Sequence, residues 1–292
     1  MFSSTFKNVT APGTAKSTVD SLRRPMFMSF PVIVPPLSDQ IGIADFLDGE
    51  IAKIDRLTTK QNELVSALHE YLRATTMRLT MEPGRGWHRT RVGLALKKLT
   101  RLPSETDPVV TAFRDGQMTS RESRREDGYT VSFTEKDYQG VRAGDLVFHA
   151  LDGFAGAVGV ADSDGKSTPV YHVCSARPGY DAEYLANHIR VLGQTGLLTA
   201  HAWSVRQRSV DYRNWSLFAS LPVQLPPYAE QRAIIARLKQ RRATIGDLVA
   251  QVQRLVDTMK ERRSALISAA VTGQIDVATY GIDDAATSVS GE

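Results

Sequence analysis

Two apolar periods run along this chain, and the longer one occurs twice. From Ile54 the series Ile54, Leu57, Gln61, Leu64, Leu68 and Tyr71 advances by alternating steps of three and four. Leu238, Arg241, Ile245, Leu248, Val252, Leu255, Met259, Arg262 and Leu266 keep the same alternation. That spacing predicts two long helices with a narrow coiled-coil stripe. At 1.5 Å per residue, a helix of about 40 residues is about 60 Å long. So thin a stripe needs a partner, and the other helix is the simplest one. The expected seam is Ile54, Leu57, Leu64 and Leu68 on one helix and Ile245, Leu248, Leu255 and Met259 on the other. The alternative is a pair of separate amphipathic helices, each covering its own core.

The two helices belong to a longer repeat. FPVIVPPLSDQ at 30–40 returns as LPVQLPPYAEQ at 221–231, an offset of 191 residues. At that same offset Val19, Asp20, Phe27 and Ser29 meet Val210, Asp211, Phe218 and Ser220, and Leu47, Ile54, Leu57, Leu64, Val65, Glu70 and Ala74 meet identical residues downstream. The match is too extensive for coincidence. Each copy reads as a short strand-like run, a Pro-Pro helix start with an acidic residue in the first turn, and a long helix.

Between the helices the period shortens. YTVSF at 129–133, DLVFHAL at 145–151, AVGVA at 157–161 and PVYHV at 169–173 read as strands separated by Gly-containing turns. A helix is expected at 180–192, where Tyr184, Leu185, His188, Ile189 and Leu192 share a face. The fold class is therefore α+β: a mixed α/β globular domain flanked by two long α-helices forming an antiparallel coiled coil. The expected boundaries are the end of a preceding domain at 1–34, the first long helix at 35–80, the globular domain at 87–225, the second long helix at 226–275 and a flexible, acidic tail at 278–292.

Composition narrows the chemistry. The 292 residues are 42% hydrophobic and 23% charged, as in ordinary globular proteins. No apolar run of membrane-spanning length and no export signal is visible, so a cytoplasmic protein without a membrane partner is expected. The one cysteine, Cys174, reads as a packed thiol, and no Cys/His cluster has zinc spacing. Nucleotide-binding loops, a GxSxG elbow and an HExxH helix are all missing. The glycines of GFAGAVG at 153–159 read as a strand bend or bulge. Glu122, Glu126, Asp162 and Asp164 lie in polar, turn-like sequence where carboxylates are usually solvated. No catalytic residue, metal or cofactor is expected.

The cations are more informative than the net charge of +4. Residues 85–128 hold ten Lys and Arg against six acidic residues. RDGQMTSRESRRE places Arg114, Arg121, Arg124 and Arg125 beside Gln117 and Thr119, side chains able to reach phosphates and base edges together. Arg206-Gln207-Arg208 forms a second cluster. Arginine in preference to lysine favours planar, bidentate recognition. A solvated charged loop is the alternative. The candidate DNA-binding residues are Arg114, Arg121, Arg124, Arg125, Lys166 and Arg206 on phosphates, and Gln117, Thr119, Arg121, Gln207 and Arg208 on base edges.

The Pro-Pro-x-x-Asp/Glu-Gln helix start, SALISAAVTGQIDV at 264–277, GDLVFHALDGFAGAVGV, TPVYHV and RQRSVDYRNWSLFASLPVQLPP together resemble the specificity subunit of type I restriction-modification systems. The resemblance spans residues 14–277. It implies two target-recognition domains alternating with two long helices, each domain reading half of a split site in double-stranded DNA. Adenine methyltransferase subunits would dock on this scaffold, a restriction/translocase subunit could join them, and the subunit itself would be non-catalytic. In that family a whole recognition domain precedes the first Pro-Pro, whereas residues 16–34 here match only the end of one. The chain therefore resembles a member lacking most of its first recognition domain. It would act either as a half-site reader, alone or as a homodimer, or as a scaffold that binds methyltransferase subunits without reading DNA.

Overall fold

The computed structural model describes Met28 and residues 34–120, 137–202, 205–206 and 209–280, with only the backbone at 205, 206 and 209. The run expected as a strand at 129–133 lies outside these residues. The chain divides into two compact units, Met1–Ala67 with Asp247–Glu292, and Leu68–Gly246. Two helices, α1 (Leu37–Met81) and α6 (Tyr228–Val271), contribute to both.

The helix starts repeat bond by bond. The backbone N–H groups of Asp39 and Gln40 donate to the Pro36 carbonyl, and those of Glu230 and Gln231 donate to Pro227. Gln40 Nε2 donates to the Pro35 carbonyl at 2.8 Å, and Gln231 Nε2 to Pro226 at 2.9 Å. Proline fixes φ and needs no N–H partner at a helix start, while the glutamine occupies the carbonyl just outside it.

In the first unit α1 and α6 are antiparallel. Asp55 meets Arg263 at 3.5 Å and Thr58 Oγ1 lies 3.7 Å from Met259 Sδ, so one number falls as the other rises. Tyr280, expected in a frayed tail, stands edge-on to Phe46 with ring centroids 5.0 Å apart. Ile54 is buried and Met259 half-buried, but Leu57, Leu64, Leu248 and Leu255 are 48%, 46%, 42% and 43% exposed. In their place Thr58, Val65, Val249 and Val256 turn inward, each one residue further along. The expected seam is thus corrected at half its positions. Each helix carries two apolar tracks about 100° apart, sharing Ile54 on α1 and Met259 on α6, and burying one exposes the other.

The second unit holds the sheet. β1 (His88–Arg91) pairs with β12 (Pro222–Leu225), and a single turn, α2 (Val92–Ala95), leads into β2 (Leu96–Lys98). β2, β9 (Tyr171–Ala176), β6 (Leu146–His149) and β7 (Val158–Val160) form a four-stranded antiparallel sheet in that order. Two further antiparallel pairs belong to the unit: β3 (Val110–Ala112) with β4 (Met118–Ser120), a hairpin, and β5 (Gln139–Val141) with β8 (Gly165–Ser167). The remaining elements are α3 (Ala182–Gln194), α4 (Leu197–His201), β10 (Val205–Arg206), β11 (Ser209–Val210) and α5 (Trp215–Ser220).

Both sheet faces are buried, which explains the unbroken apolar run in β6. Leu146, Phe148 and Cys174 pack with Tyr184, Leu185 and Ile189 of α3 and with Ile234 and Leu238 of α6. On the opposite face Val147 and Val173 pack with Val110, Ala112, Met118 and Val141. Side chains alternate along a strand, so one strand feeds both cores. Helix α3 starts at Asp181, whose Oδ1 accepts the Tyr184 N–H at 2.9 Å. Leu68 of α1 is half-buried and Ile245 of α6 buried within this unit. Gly153 opens a short 3-10 turn, Gly153–Ala155, and Gly156 follows at φ +100°, while Gly159 lies within β7, so of the two expected readings the run makes a bend and not a bulge.

Candidate nucleic-acid interface

The hairpin β3–β4 sorts its side chains by pairing register. Thr111 stands opposite Thr119 and Ala112 opposite Met118. Val110, Ala112 and Met118 enter the core, which leaves Thr111 and Thr119 on the other face. The turn closes through Phe113 N–H to Gln117 O and Gly116 N–H to Phe113 O, both 2.9 Å. Gly116 sits at φ +90°, a left-handed position that an L side chain occupies only with strain. Gln117 is exposed beyond the turn, and its N–H donates to Asp115 Oδ1 at 3.0 Å.

Arg114 is held by two parallel bonds to Asp152, Nε to Oδ2 at 3.0 Å and Nη2 to Oδ1 at 2.8 Å, while its side chain stays 68% exposed. The pair borders a depression of about 700 Å³ whose lining includes Thr111, Phe113, Asp115, His149 and Tyr171. His149 Nδ1 accepts the Asp152 N–H at 2.9 Å and the Leu151 N–H at 3.3 Å. In the neutral ring the proton is therefore on Nε2, available to donate. Burial pushes the His149 pKa below its ordinary value, against the opposing pull of the Asp152 carboxylate. The Tyr171 ring packs edge-on against it, centroids 4.6 Å apart. The hairpin thus presents an oriented guanidinium, an amide and two hydroxyls beside a concave surface with its own donors. That combination suits hydrogen bonding to phosphates and base edges.

Of the residues expected to bind DNA, Arg114, Gln117 and Thr119 come together on this hairpin. Lys166 does not join them: it is 7% exposed, and its ammonium donates to the Glu105 carbonyl at 3.1 Å. Its strand, β8, pairs with β5 and bonds to the segment before β3, which turns the lysine inward. This corrects the expectation of a phosphate contact. Arg121, Arg124, Arg125, Gln207 and Arg208 lie outside the described residues, and Arg206 is described only as backbone in β10.

Other cations stand out on β1 and β2 and just before them. Arg85, Arg89, Arg91, Lys97 and Lys98 lie at the surface, and none forms an ion pair among the described residues. By contrast Arg101 is paired with Asp145, and Arg142 with Asp107 at 3.3 Å. Cys174 lies inside the core, where burial pushes its thiol up to about 12, so it carries no reactive thiolate. Among the described residues no three His, Cys, Asp or Glu side chains cluster as metal ligands, and no helix is long and apolar enough to cross a membrane.

No family model matches the sequence, and no curated protein does. Solved structures do match. One, from work on the complex assembly and conformational transition of the type I R-M system, superposes with a TM-score of 0.66 at 15% identity, covering 91% of this chain and 67% of its own. A second, the HsdS subunit from Thermoanaerobacter tengcongensis, superposes with a TM-score of 0.54 at 16% identity, covering 93% of this chain and 67% of its own. The chain has the fold of that subunit.

Proposed function

We propose that this chain is a DNA-recognition subunit of a type I restriction-modification complex. It would read a half-site with the Leu68–Gly246 unit and scaffold adenine methyltransferase and restriction subunits without catalysing a reaction itself. The observation that carries the reading is the fold likeness, TM-score 0.66 over 91% of the chain. Local chemistry supports it. Arg85, Arg89, Arg91, Lys97 and Lys98 at the surface would neutralise phosphates together with Arg114 of the β3–β4 hairpin, which would present Gln117 and Thr119 to base edges. The seam offset puts Leu57, Leu64, Leu248 and Leu255 on one face of the antiparallel pair, because equivalent positions of such a pair share a face. That exposed apolar face suits a docked methyltransferase.

We further propose a homodimer, and a difference between the two repeat copies supports it. Gln231 and Leu225 are fully buried, while their counterparts Gln40 and Val34 are exposed, Val34 at 72%. A second copy placing a recognition unit on the first helix start would cover them and give a two-fold symmetric target. The test is co-expression with a type I methyltransferase subunit and sequencing of N6-methyladenine. A discrete palindromic motif is expected. A stable complex with no methylated motif would leave a scaffold that does not read DNA, and failure to form any complex would remove the reading.

A further inference from the structure

A second concave site lies in the Leu68–Gly246 unit, sharing no lining residue with the depression beside Arg114. Its volume is about 170 Å³, and α3, α6 and the Gly116 turn line it. Two arginines converge there on one neutral oxygen. Arg190 Nη2 donates to Asn187 Oδ1 at 2.5 Å, and Arg242 Nη2 donates to the same atom. Asn187 is buried, and its own amide is tied to the Glu183 carbonyl at 2.7 Å. Arg190 also donates from Nη1 to the Asp115 carbonyl at 2.8 Å. Neither guanidinium is in an ion pair among the described residues. Lys239 stands at the rim, 2.7 Å from Glu183, so the lining holds three cations and one carboxylate.

This arrangement is under-compensated. A buried charge is costly unless paired, and two like charges sharing one amide oxygen are costlier still. The molecule registers this: burial and then the neighbouring Arg242 charge push the Arg190 pKa down to about 10, with the Asp115 carboxylate offsetting part. Burial likewise lowers that of Arg242, with the Glu183 carboxylate offsetting part. Each guanidinium has five N–H donors, most of them unused by the protein here. Gly116 keeps the wall open, since a Cβ there would fall on the Arg190 guanidinium.

We propose that this pocket is a phosphate-binding site, holding a tetrahedral oxyanion between the Arg190 and Arg242 guanidiniums with Lys239 at its rim. Two planar forks and an ammonium can serve three or four oxygens, which fits phosphate better than a two-oxygen carboxylate. The site stands on its own geometry and does not rest on the DNA reading. Its phosphate comes either from a small phosphate compound or from a nucleic-acid backbone, because Asp115 and Gly116 belong to the turn that presents Gln117.

Inorganic phosphate is the probe, titrated calorimetrically and by thermal shift into the full chain against chloride at matched ionic strength. Phosphate-specific binding and a raised melting temperature are expected. Arg242→Gln should weaken binding about tenfold, through loss of one charge-assisted partner. Asn187→Asp gives up the amide bond to the Glu183 carbonyl but places a carboxylate between the arginines, so it should abolish the phosphate response while the chain stays folded in chloride. That second variant separates an anion site from a merely structural cluster. No phosphate-specific response in the wild type, or undiminished binding in both variants, would overturn the proposal. Competition between duplex DNA and phosphate would identify the backbone as the source, and binding undisturbed by duplex would identify a small phosphate.

Discussion

Gln231 and Gln40 occupy the same place in the two repeat copies, make the same bond, and should differ sharply in what they contribute. Gln231 has no solvent exposure. Its Nε2 donates to the Pro226 carbonyl at 2.9 Å, and its Oε1 accepts the Asp181 N–H, the start of α3, at 2.9 Å. Alanine would strip both partners. One unsatisfied buried group costs about 1–3 kcal/mol, and the half-buried Asp181 N–H adds to that, so roughly 2–4 kcal/mol is expected with the small cavity included. For a unit of this size about 2–4 °C is lost per kcal/mol, which predicts a fall of roughly 5–15 °C. Among the described residues the Gln40 side chain bonds only the Pro35 carbonyl, in the open. Gln40→Ala should stay within about 0.5 kcal/mol for the isolated chain. Any larger effect in the proposed homodimer must vanish on dilution. Urea unfolding followed by circular dichroism at two protein concentrations measures both variants. Equal, concentration-independent losses would refute the argument that burial, not the shared bond, sets the cost.

Four further outcomes are expected. His188 is buried with Nδ1 2.7 Å from the Thr80 carbonyl, and burial pushes its pKa down to about 4. The unfolded chain therefore takes up a proton first, so stability is fully present above the ordinary histidine pKa of about 6.5 and falls as pH drops from there to about 4, by up to about 1.4 kcal/mol per pH unit. Denaturant titrations of wild type and His188→Gln should show a shallower acid slope in the variant. Ile54→Ala should destabilise by about 2–4 kcal/mol and Leu57→Ala by under about 1, since only the first is at the seam; comparable losses at the two positions would restore the phase that apolar spacing alone suggests. Gly116→Ala should destabilise by more than about 1 kcal/mol, because the left-handed turn and the Arg190 guanidinium both exclude a Cβ, and hydrogen exchange should show the hairpin loosened. Arg114→Ala should leave stability within about 1 kcal/mol, as its exposed ion pair contributes little, yet lower the salt slope of DNA binding by about 0.9; an unchanged slope would remove Arg114 from the phosphate contacts.

The chain's own sequence determined its larger organisation. The 191-residue offset, the Pro-Pro helix starts and the three-four spacing specify two long helices around an α+β segment, because these signals are local and repeat. The strands at 146–149, 158–160 and 171–176 were legible for the same reason, as apolar β-prone runs bounded by turns. The helical phase was not. Leu57 and Thr58 differ by one position, and only the partner helix, with Met259 beside Thr58 and Arg263 beside Asp55, decides which turns inward. The site divided along the same line. Arg114, Gln117 and Thr119 could be found together because one hairpin carries them. Lys166 was misplaced because its direction depends on a strand pairing with residues far upstream. Arg190 and Arg242, on helices 52 positions apart, gave no sequence signal. Their meeting at Asn187 depends on how α3 packs against α6, and long-range contact is the one kind of information that local periodicity does not contain.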